Sequence, residues 1–153
     1  MCPISVVLAD ANRNRHKECE RLLRNVPHLR LVAQTVHCDD VLPTVSRYKP
    51  RMLVLGLSLC GEDSGELVSE LLAQSPQTRV VLLQRHADQE EEALRALLNG
   101  ARAYLSHDTL EQELCRALNG VNKGEAWVPR KVLGRILDWA VDGRVQEGIG
   151  DRP

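Results

Sequence analysis

The chain has 153 residues, which suits one domain with a sizeable core, and a formal net charge of −1. This balanced charge excludes a general attraction to nucleic acid or to a membrane surface. Phenylalanine is absent and aromatic residues make up 3% of the chain, so the core must be built from Leu, Val, Ile and Ala. No apolar run approaches the ~20 residues of a membrane span and no signal-peptide pattern opens the chain, so we expect a cytoplasmic protein.

In the first half of the chain, strand and helix patterns alternate. The β-branched run 4–9 predicts a first strand, and apolar residues on one face predict a helix over residues 14–26. Residues 29–36 predict a second strand nearer the sheet edge, followed by a helix from residue 39 or 40. The unbroken apolar run 52–59 predicts a strand buried on both faces at the middle of a parallel sheet.

The second half repeats this alternation. A helix is expected from residue 64 to Ser75, a fourth strand over residues 79–83, and a helix over residues 89–98 that ends at Gly100. A short fifth strand over residues 102–105 precedes another helix. Capping-box spacing marks the starts of the last two helices, from Asp88 to Glu91 and from Asp108 to Glu111.

The predicted fold is therefore α/β, a doubly wound, flavodoxin-like sheet of five parallel strands alternating with five helices. Residues 1–124 form this domain. Residues 125–153 comprise a connector, an amphipathic helix from Lys131, and a polar, Gly-rich tail that we expect to be mobile.

The five cysteines are odd in number and contain no C-x-x-C pair; they are Cys2, Cys19, Cys38, Cys60 and Cys115. This pattern predicts neither a disulfide framework nor a zinc knuckle. We expect free, buried thiols.

The order of elements resembles the CheY-like receiver domain of two-component response regulators. The resemblance rests on residues 8–10 at the end of the first strand, Gly61 and Gly65 after the third, and the segment 99–105. Within that family, the connector 124–130 resembles the NarL/FixJ (LuxR-type) subclass. Such receivers normally precede a helix-turn-helix that binds DNA, and this sequence has no such domain. The resemblance implies a regulatory module rather than an enzyme.

The resemblance also shows where this sequence departs from the family. Family receivers place two acidic residues after the first strand, a phospho-accepting Asp after the third, Ser or Thr after the fourth, and Lys after the fifth. The matching positions here are Asp10 and Ala11, Gly56, Gln84 and His107. Gly56 offers no nucleophile, and Asp10 is the one matched carboxylate for a metal. We interpret the site as inactive in phosphoryl transfer, with no metal and no cofactor.

The surviving polar groups admit several interpretations. An ion pair or hydrogen bond between Asp10 and His107 is the favoured one. A metal site from these two residues with His86 and Cys60 is an alternative whose spacing carries no metal signature. Cys60 is either a plain loop cysteine or a redox-sensing thiol. Tyr104 matches the family's aromatic switch position and, without phosphorylation, is expected to stay in one place.

The C-terminal segment carries two further hypotheses. Residues 127–130, from Trp127 to Arg130, are similar to a motif with which some NarL/FixJ relatives bind cyclic di-GMP; the favoured alternative is that Trp127 anchors the connector. The helix that follows presents an apolar stripe, which must be buried on the domain or on another chain. Its members are Val132, Leu133, Ile136, Leu137 and Ala140, with Trp139 beside them.

These observations predict an atypical, phosphorylation-independent receiver, the dimerising half of a NarL/FixJ-type transcription regulator. Its expected partners are a second copy of the chain, DNA only through a domain that this sequence lacks, and a small-molecule or protein regulator. The alternatives are a stand-alone adaptor, a receiver that responds to cyclic di-GMP or to thiol oxidation, and a flavodoxin-like hydrolase, for which no nucleophile and base pair is visible.

Overall fold

The structure, a computed structural model, describes residues 3–85 and 89–142 apart from the side chain of Glu62. Its strands are β1 (Ile4–Ala9), β2 (Leu29–Thr35), β3 (Met52–Gly56), β4 (Arg79–Gln84) and β5 (Ala103–Ser106). They form one sheet in the order β2-β1-β3-β4-β5, and every neighbouring pair is parallel. The predicted doubly wound α/β fold is confirmed.

Helices cover both faces of this sheet. They are α1 (Arg13–Arg24), α2 (Val41–Tyr48), the single turn α3 (Leu57–Cys60), α4 (Ser64–Gln74), α5 (Glu90–Leu98), α6 (Leu110–Asn122) and α7 (Arg130–Val141). Within the described ranges, no helix combines the length and the apolar character that crossing a bilayer requires. The predicted extra helix near the C-terminus is present as α7 and begins one residue earlier than expected.

Two hydrophobic layers enclose the sheet because successive strand residues point to opposite faces. On one face, Leu8 packs with Cys19 of α1 and Leu114 of α6. On the other face, residues such as Leu55 and Val68 pack among α2, α4 and α5, and α7 lies over the same layer. As predicted, the core contains hardly any aromatic side chains.

The central strand is shorter than the apolar run that predicts it. β3 ends at Gly56, and the residues from Leu57 onward form the turn α3. Leu57 is fully buried, but its backbone has left the ladder with β4, whose last pair is Gly56 with Leu83. An apolar pattern reports burial and does not distinguish a strand from a buried helical turn.

The sequence predicts capping boxes at the starts of α5 and α6. Asp88 lies outside the described residues, so its predicted cap has no counterpart there. For α6 the prediction of Asp108 as the cap is wrong: a 3₁₀ turn, His107–Thr109, precedes the helix, and the Ser106 hydroxyl accepts the Asp108 N–H at 3.2 Å. The predicted stop of α5 at Gly100 is confirmed by its φ of +121°, a conformation that favours glycine.

The expectation of free thiols is wrong for one pair. Cys38, in the 3₁₀ turn after β2, and Cys60, at the end of α3, form a disulfide with their Cα atoms 5.4 Å apart. Cys19 and Cys115 are free. The two bonded residues are 22 positions apart in the chain, and only the folded loops bring them together. Cys2 and the predicted mobile tail from residue 143 lie outside the described residues.

Candidate functional site

The predicted site residues meet at the carboxyl edge of the sheet. Asp10 follows β1, Gly56 ends β3, and Gln84 ends β4, so the three lie on neighbouring strands. His107 follows β5, the next strand along, while Ala11 is exposed beside Asp10. In doubly wound sheets, this edge is where ligands collect. The strand ends therefore bring these residues to one edge of the sheet, as the sequence predicts.

The Asp10 carboxyl group lies against Gly56. Asp10 is 3% exposed, and its Oδ1 accepts the Asn12 N–H at 2.8 Å. A Cβ atom built on Gly56 would lie 2.7 Å from Asp10 Cγ and closer still to Oδ2. Carbon atoms do not approach so closely without displacement. The Asp10 side chain thus occupies the space that any larger residue at position 56 would need.

A buried guanidinium supplies the positive charge near this carboxylate. Arg15 of α1 has a side chain that is 3% exposed, with Nη1 at 4.0 Å from Asp10 Oδ2 and Nε at 3.9 Å from Glu18 Oε1. The start of α1 is fixed because the Asn12 side chain caps it and accepts the backbone N–H groups of Asn14 and Arg15. Both carboxylates therefore face one internal cation.

The predicted contact between Asp10 and His107 is wrong. The ring of His107 lies 3.8 Å from Glu18 Oε1, and with 41% of its side chain exposed this contact contributes little stability. Asp10 instead faces Arg15, and its backbone carbonyl is 2.7 Å from Nε2 of His16. His107 follows the outermost strand of the row, whereas α1 passes directly over Asp10.

Sequence reasoning missed three residues of α1 near Asp10: Arg15 and His16 contact Asp10 directly, and Glu18 contacts Arg15. His16 also places Nδ1 2.6 Å from Gln34 Oε1 on β2. One signal was available: Arg15 and His16 precede the predicted core residue Cys19 by four and three positions, which puts them on its face of the helix. Polar residues on a core-facing stripe mark a site that needs partners.

Mg²⁺, which the family pattern implies, does not fit these residues. Mg²⁺ takes oxygen ligands in a near-octahedral shell. Asp10 Oδ1 already accepts a backbone N–H and Oδ2 faces Arg15, while Ala11 and Gly56 supply no side-chain oxygen. A guanidinium so close would also repel a cation. The alternative metal site, formed with Cys60 and His86, has less support as well. The sulfur of Cys60 is bonded to Cys38, and His86 lies outside the described residues.

The remaining matched positions lie along the same edge. Gln84 is half-buried at the end of β4, level with Ser106 of β5. Tyr104, at the predicted switch position, is 4% exposed within the core layer. Burial, and secondarily the charge of Glu90, raises the pKa of Tyr104 to about 12. The ring therefore lies inside the core layer.

The connector lies beside the sheet and is held there by Trp127. The Tyr104 N–H donates to the Trp127 carbonyl at 2.8 Å, and the Trp127 N–H donates to the Arg102 carbonyl at 2.9 Å. Its ring is half-buried against the core, with the Arg116 guanidinium 5.5 Å from its centroid. This is an anchoring arrangement, with Arg130 exposed at the first position of α7.

The predicted single stripe on α7 is divided in two. Val132 is 3% exposed, and Ile136 and Trp139 pack partly buried against the domain core. Leu133 and Leu137 face away and are 45% and 58% exposed. The sequence marks all of these positions as apolar and does not indicate which side meets the chain's own domain.

Comparisons with known proteins agree with the topology. No protein-family model matches the chain. The oxygen regulatory protein NreC from Staphylococcus aureus (strain JH9) is 26% identical over 145 residues, covering 94% of this chain and 66% of NreC. NreC from Staphylococcus haemolyticus is 24% identical over 147 residues, covering 95% and 67%. The chain thus spans slightly less than two thirds of the length of the first relative.

Solved structures show the same fold. A two-component response regulator of the LuxR family from Aurantimonas sp. SI85-9A1 superposes with a TM-score of 0.77 at 19% identity, covering 91% of this chain and 99% of that chain. A structure of two RcsB dimers bound to two parallel DNAs matches with a TM-score of 0.74 at 16% identity, covering 89% and 68%. Together with the sheet order, these similarities show that the chain has the CheY-like receiver fold and is similar in sequence to the oxygen regulatory protein NreC.

Proposed function

We propose that this receiver transmits its signal without accepting a phosphoryl group. The observation that carries the proposal is the position of the Asp10 carboxyl group, which fills the space beside Gly56 where an acceptor side chain would stand. Transfer needs a carboxylate nucleophile aligned with the donor, a metal that neutralises the phosphoryl oxygens, and a cation that holds the product. Gly56 supplies no nucleophile, Ala11 supplies no metal ligand, and His107 stands where the family has the Lys that holds the product.

The internal charges support the same proposal. Arg15 lies between the carboxylates of Asp10 and Glu18, so the crevice contains a cation of its own. In this arrangement no incoming metal or phosphate is needed to balance the acidic groups. The internal charges then hold the receiver in one conformation. Its signal comes from association with another chain or from another chemical input.

The biological setting is also part of the proposal. We place the chain in the cytoplasm as the dimerising regulatory half of a transcription regulator, by analogy with RcsB, whose structure shows dimers bound to DNA. The alternative is an adaptor that docks on another protein. Whether the open reading frame continues beyond Pro153 into a helix-turn-helix distinguishes the two.

Phosphorylation assays test the central statement. The purified chain is incubated with acetyl phosphate and Mg²⁺, and its intact mass is measured beside a receiver that retains the acceptor Asp. We expect no mass increase, and no change in tryptophan fluorescence with beryllofluoride, which mimics an aspartyl phosphate. A phosphoryl group located on an aspartate by peptide mapping would overturn the proposal.

Thiol oxidation is the second candidate input, because the Cys38–Cys60 disulfide joins the loop after β2 to the turn that follows Gly56. Oxidation by a disulfide of the thioredoxin class would form this bond: the two thiols lose two electrons and two protons, and the oxidant's disulfide becomes two thiols. Such exchange suits a compartment that keeps most thiols reduced.

Differential alkylation tests this candidate. The protein is equilibrated in redox buffers of stepped potential, and the alkylated fraction of each cysteine is measured by peptide mass spectrometry. Cys38 and Cys60 should change together and reversibly, and Cys38→Ser should abolish the change at Cys60. Cys115→Ser serves as the control and should leave it intact. Thiols that stay alkylated at every potential would exclude the candidate.

A further inference from the structure

We propose that the outer stripe of α7, formed by Leu133, Leu137 and Val141, is the surface through which two copies of the chain associate, with their α7 helices packed antiparallel. The inference rests on the proposed dimer and names its interface. These residues follow one another at intervals of four, so they form one continuous strip along the helix.

The strip is exposed, whereas the opposite side of α7 packs against the domain. Among the described residues, the large hydrophobic side chains that are exposed comprise Tyr48 and these three, which are 45%, 58% and 85% exposed from Leu133 to Val141. On the inner side, Val132 is buried and Arg135 forms an ion pair with Glu90 of α5. Because α7 is held by that side, it cannot rotate to bury the strip without losing these contacts.

Gly134 is a second observation that favours a helix partner. It lies near the middle of α7, and a Cβ atom built there would meet no atom within 4 Å. A glycine inside a helix destabilises it by about 1 kcal/mol relative to alanine. The distance between packed helices depends on the side chains at their contact, so a glycine beside Leu133 and Leu137 allows the second helix to approach closely.

The charges on α7 select the antiparallel orientation. Arg130 and Lys131 lie at its start, and Asp138 lies near its end. Lys131 and Asp138 are seven residues apart and therefore share one flank of the strip. In an antiparallel pair, the same flanks of the two helices face each other. When Leu133 lies opposite Leu137 of the second copy, Lys131 comes level with position 139 of that copy and so lies one residue, about 1.5 Å along the axis, from Asp138, twice by symmetry.

A parallel pair would lack this complementarity, because opposite flanks of the two helices then face each other and the flank that carries Lys131 and Asp138 does not meet its own counterpart. Opposite charges on facing flanks attract, so the sequence of α7 favours the antiparallel register. The occupant that the strip fits is a second α7.

Analytical ultracentrifugation of the full chain tests the surface. Leu137→Asp should raise the dimer dissociation constant at least tenfold, because it places a charge in the apolar contact. Tyr48→Asp is the matched control: its side chain is 44% exposed on α2, and it should leave the constant unchanged. Circular dichroism and thermal unfolding establish that both variants fold.

Charge exchange tests the orientation. Lys131→Asp and Asp138→Lys alone should each weaken the dimer several-fold, and the double variant should recover the affinity of the wild type. No recovery in the double variant would overturn the antiparallel register. A dimer that survives Leu137→Asp would refute this surface while leaving the proposed dimer intact.

A wild-type chain that stays monomeric at tens of micromolar would refute the dimer itself and leave the strip to a segment beyond residue 142 or to another protein. None of these outcomes depends on phosphorylation, so the surface and the phosphorylation-independent function can fail separately.

Discussion

The carboxyl group of Asp10 lies in the space that a side chain on Gly56 would occupy, with Asp10 Cγ 2.7 Å from the Cβ position of residue 56. Asp10 directly follows β1 and Gly56 ends the neighbouring β3, so the sheet fixes this relationship. The Asp10 side chain can take this position only because residue 56 is a glycine. The Asp10 carboxyl group thus fills the carboxyl edge of the sheet beside β3.

Gly56→Ala should destabilise the domain by about 1–2 kcal/mol, because the new methyl group must displace the Asp10 carboxyl group from the Asn12 N–H and from Arg15. Backbone strain does not contribute, since φ is −72° and ψ is 126° at this residue. In an Asp10→Ala background the same substitution should cost much less. Urea unfolding of the four proteins measures this coupling, and strictly additive effects would contradict the packing relationship.

Gly56→Asp should not restore phosphorylation. The new side chain would enter a crevice that Asp10 fills, and two carboxylates at such short range repel each other without a metal to separate them. Incubation with acetyl phosphate followed by mass measurement checks this outcome. The variant should also unfold at lower urea concentration than Gly56→Ala. Detection of an aspartyl phosphate in it would show that the surrounding residues retain their transfer chemistry.

Arg15→Met should destabilise the domain by about 2–3 kcal/mol, because the Asp10 carboxylate stays buried after its guanidinium partner is removed. Methionine keeps most of the side-chain volume, so packing changes little. Arg13→Met, at an exposed position at the start of the same helix, is the control and should change the unfolding free energy by no more than about 0.5 kcal/mol. Equal effects would indicate that Arg15 contributes no specific charge interaction.

The unfolding free energy should fall as the pH rises above about 9. Burial raises the pKa of the Cys19 thiol from 9.0 to about 12, and burial with the charge of Glu90 raises that of Tyr104 from 10.0 to about 12. Between the unfolded and folded pKa values, the unfolded chain loses protons that the folded chain keeps. The contribution of the protonated Cys19 and Tyr104 side chains to the unfolding free energy is therefore complete below pH 9. It is lost as the pH approaches 12.

Urea unfolding from pH 8 to about 11 checks this dependence. Cys19→Ala should reduce the slope, and Cys19 in the folded protein should resist thiol reagents at pH 8 because it is 1% exposed and protonated. An unchanged slope in the variant would show that Cys19 does not cause the loss.

The sequence predicts much of the fold because strands and helices have distinct apolar patterns. Its strand ends placed Asp10, Gly56 and Gln84 at one edge of the sheet, as the structure has them. The partners of these residues depend on how α1 crosses that edge. The spacing from Cys19 places Arg15 on the core-facing side of α1 but does not say which residue it contacts, and Arg15 was therefore missed. The Cys38–Cys60 pair was missed for a similar reason, because loop geometry brings two distant thiols together.

The two apolar sides of α7 differ in burial. Substitutions at two adjacent positions, one on each side, should therefore differ in their effect on stability. Val132→Ala should destabilise the domain by about 1–3 kcal/mol, because it opens a cavity in a contact that is 3% exposed. Leu133→Ala removes more apolar volume from a side chain that is 45% exposed, and in the monomer it should cost no more than about 0.5 kcal/mol. Urea unfolding at low protein concentration, where association does not contribute, measures both values. A larger loss for Leu133→Ala than for Val132→Ala would mean that α7 packs on the domain through its other side.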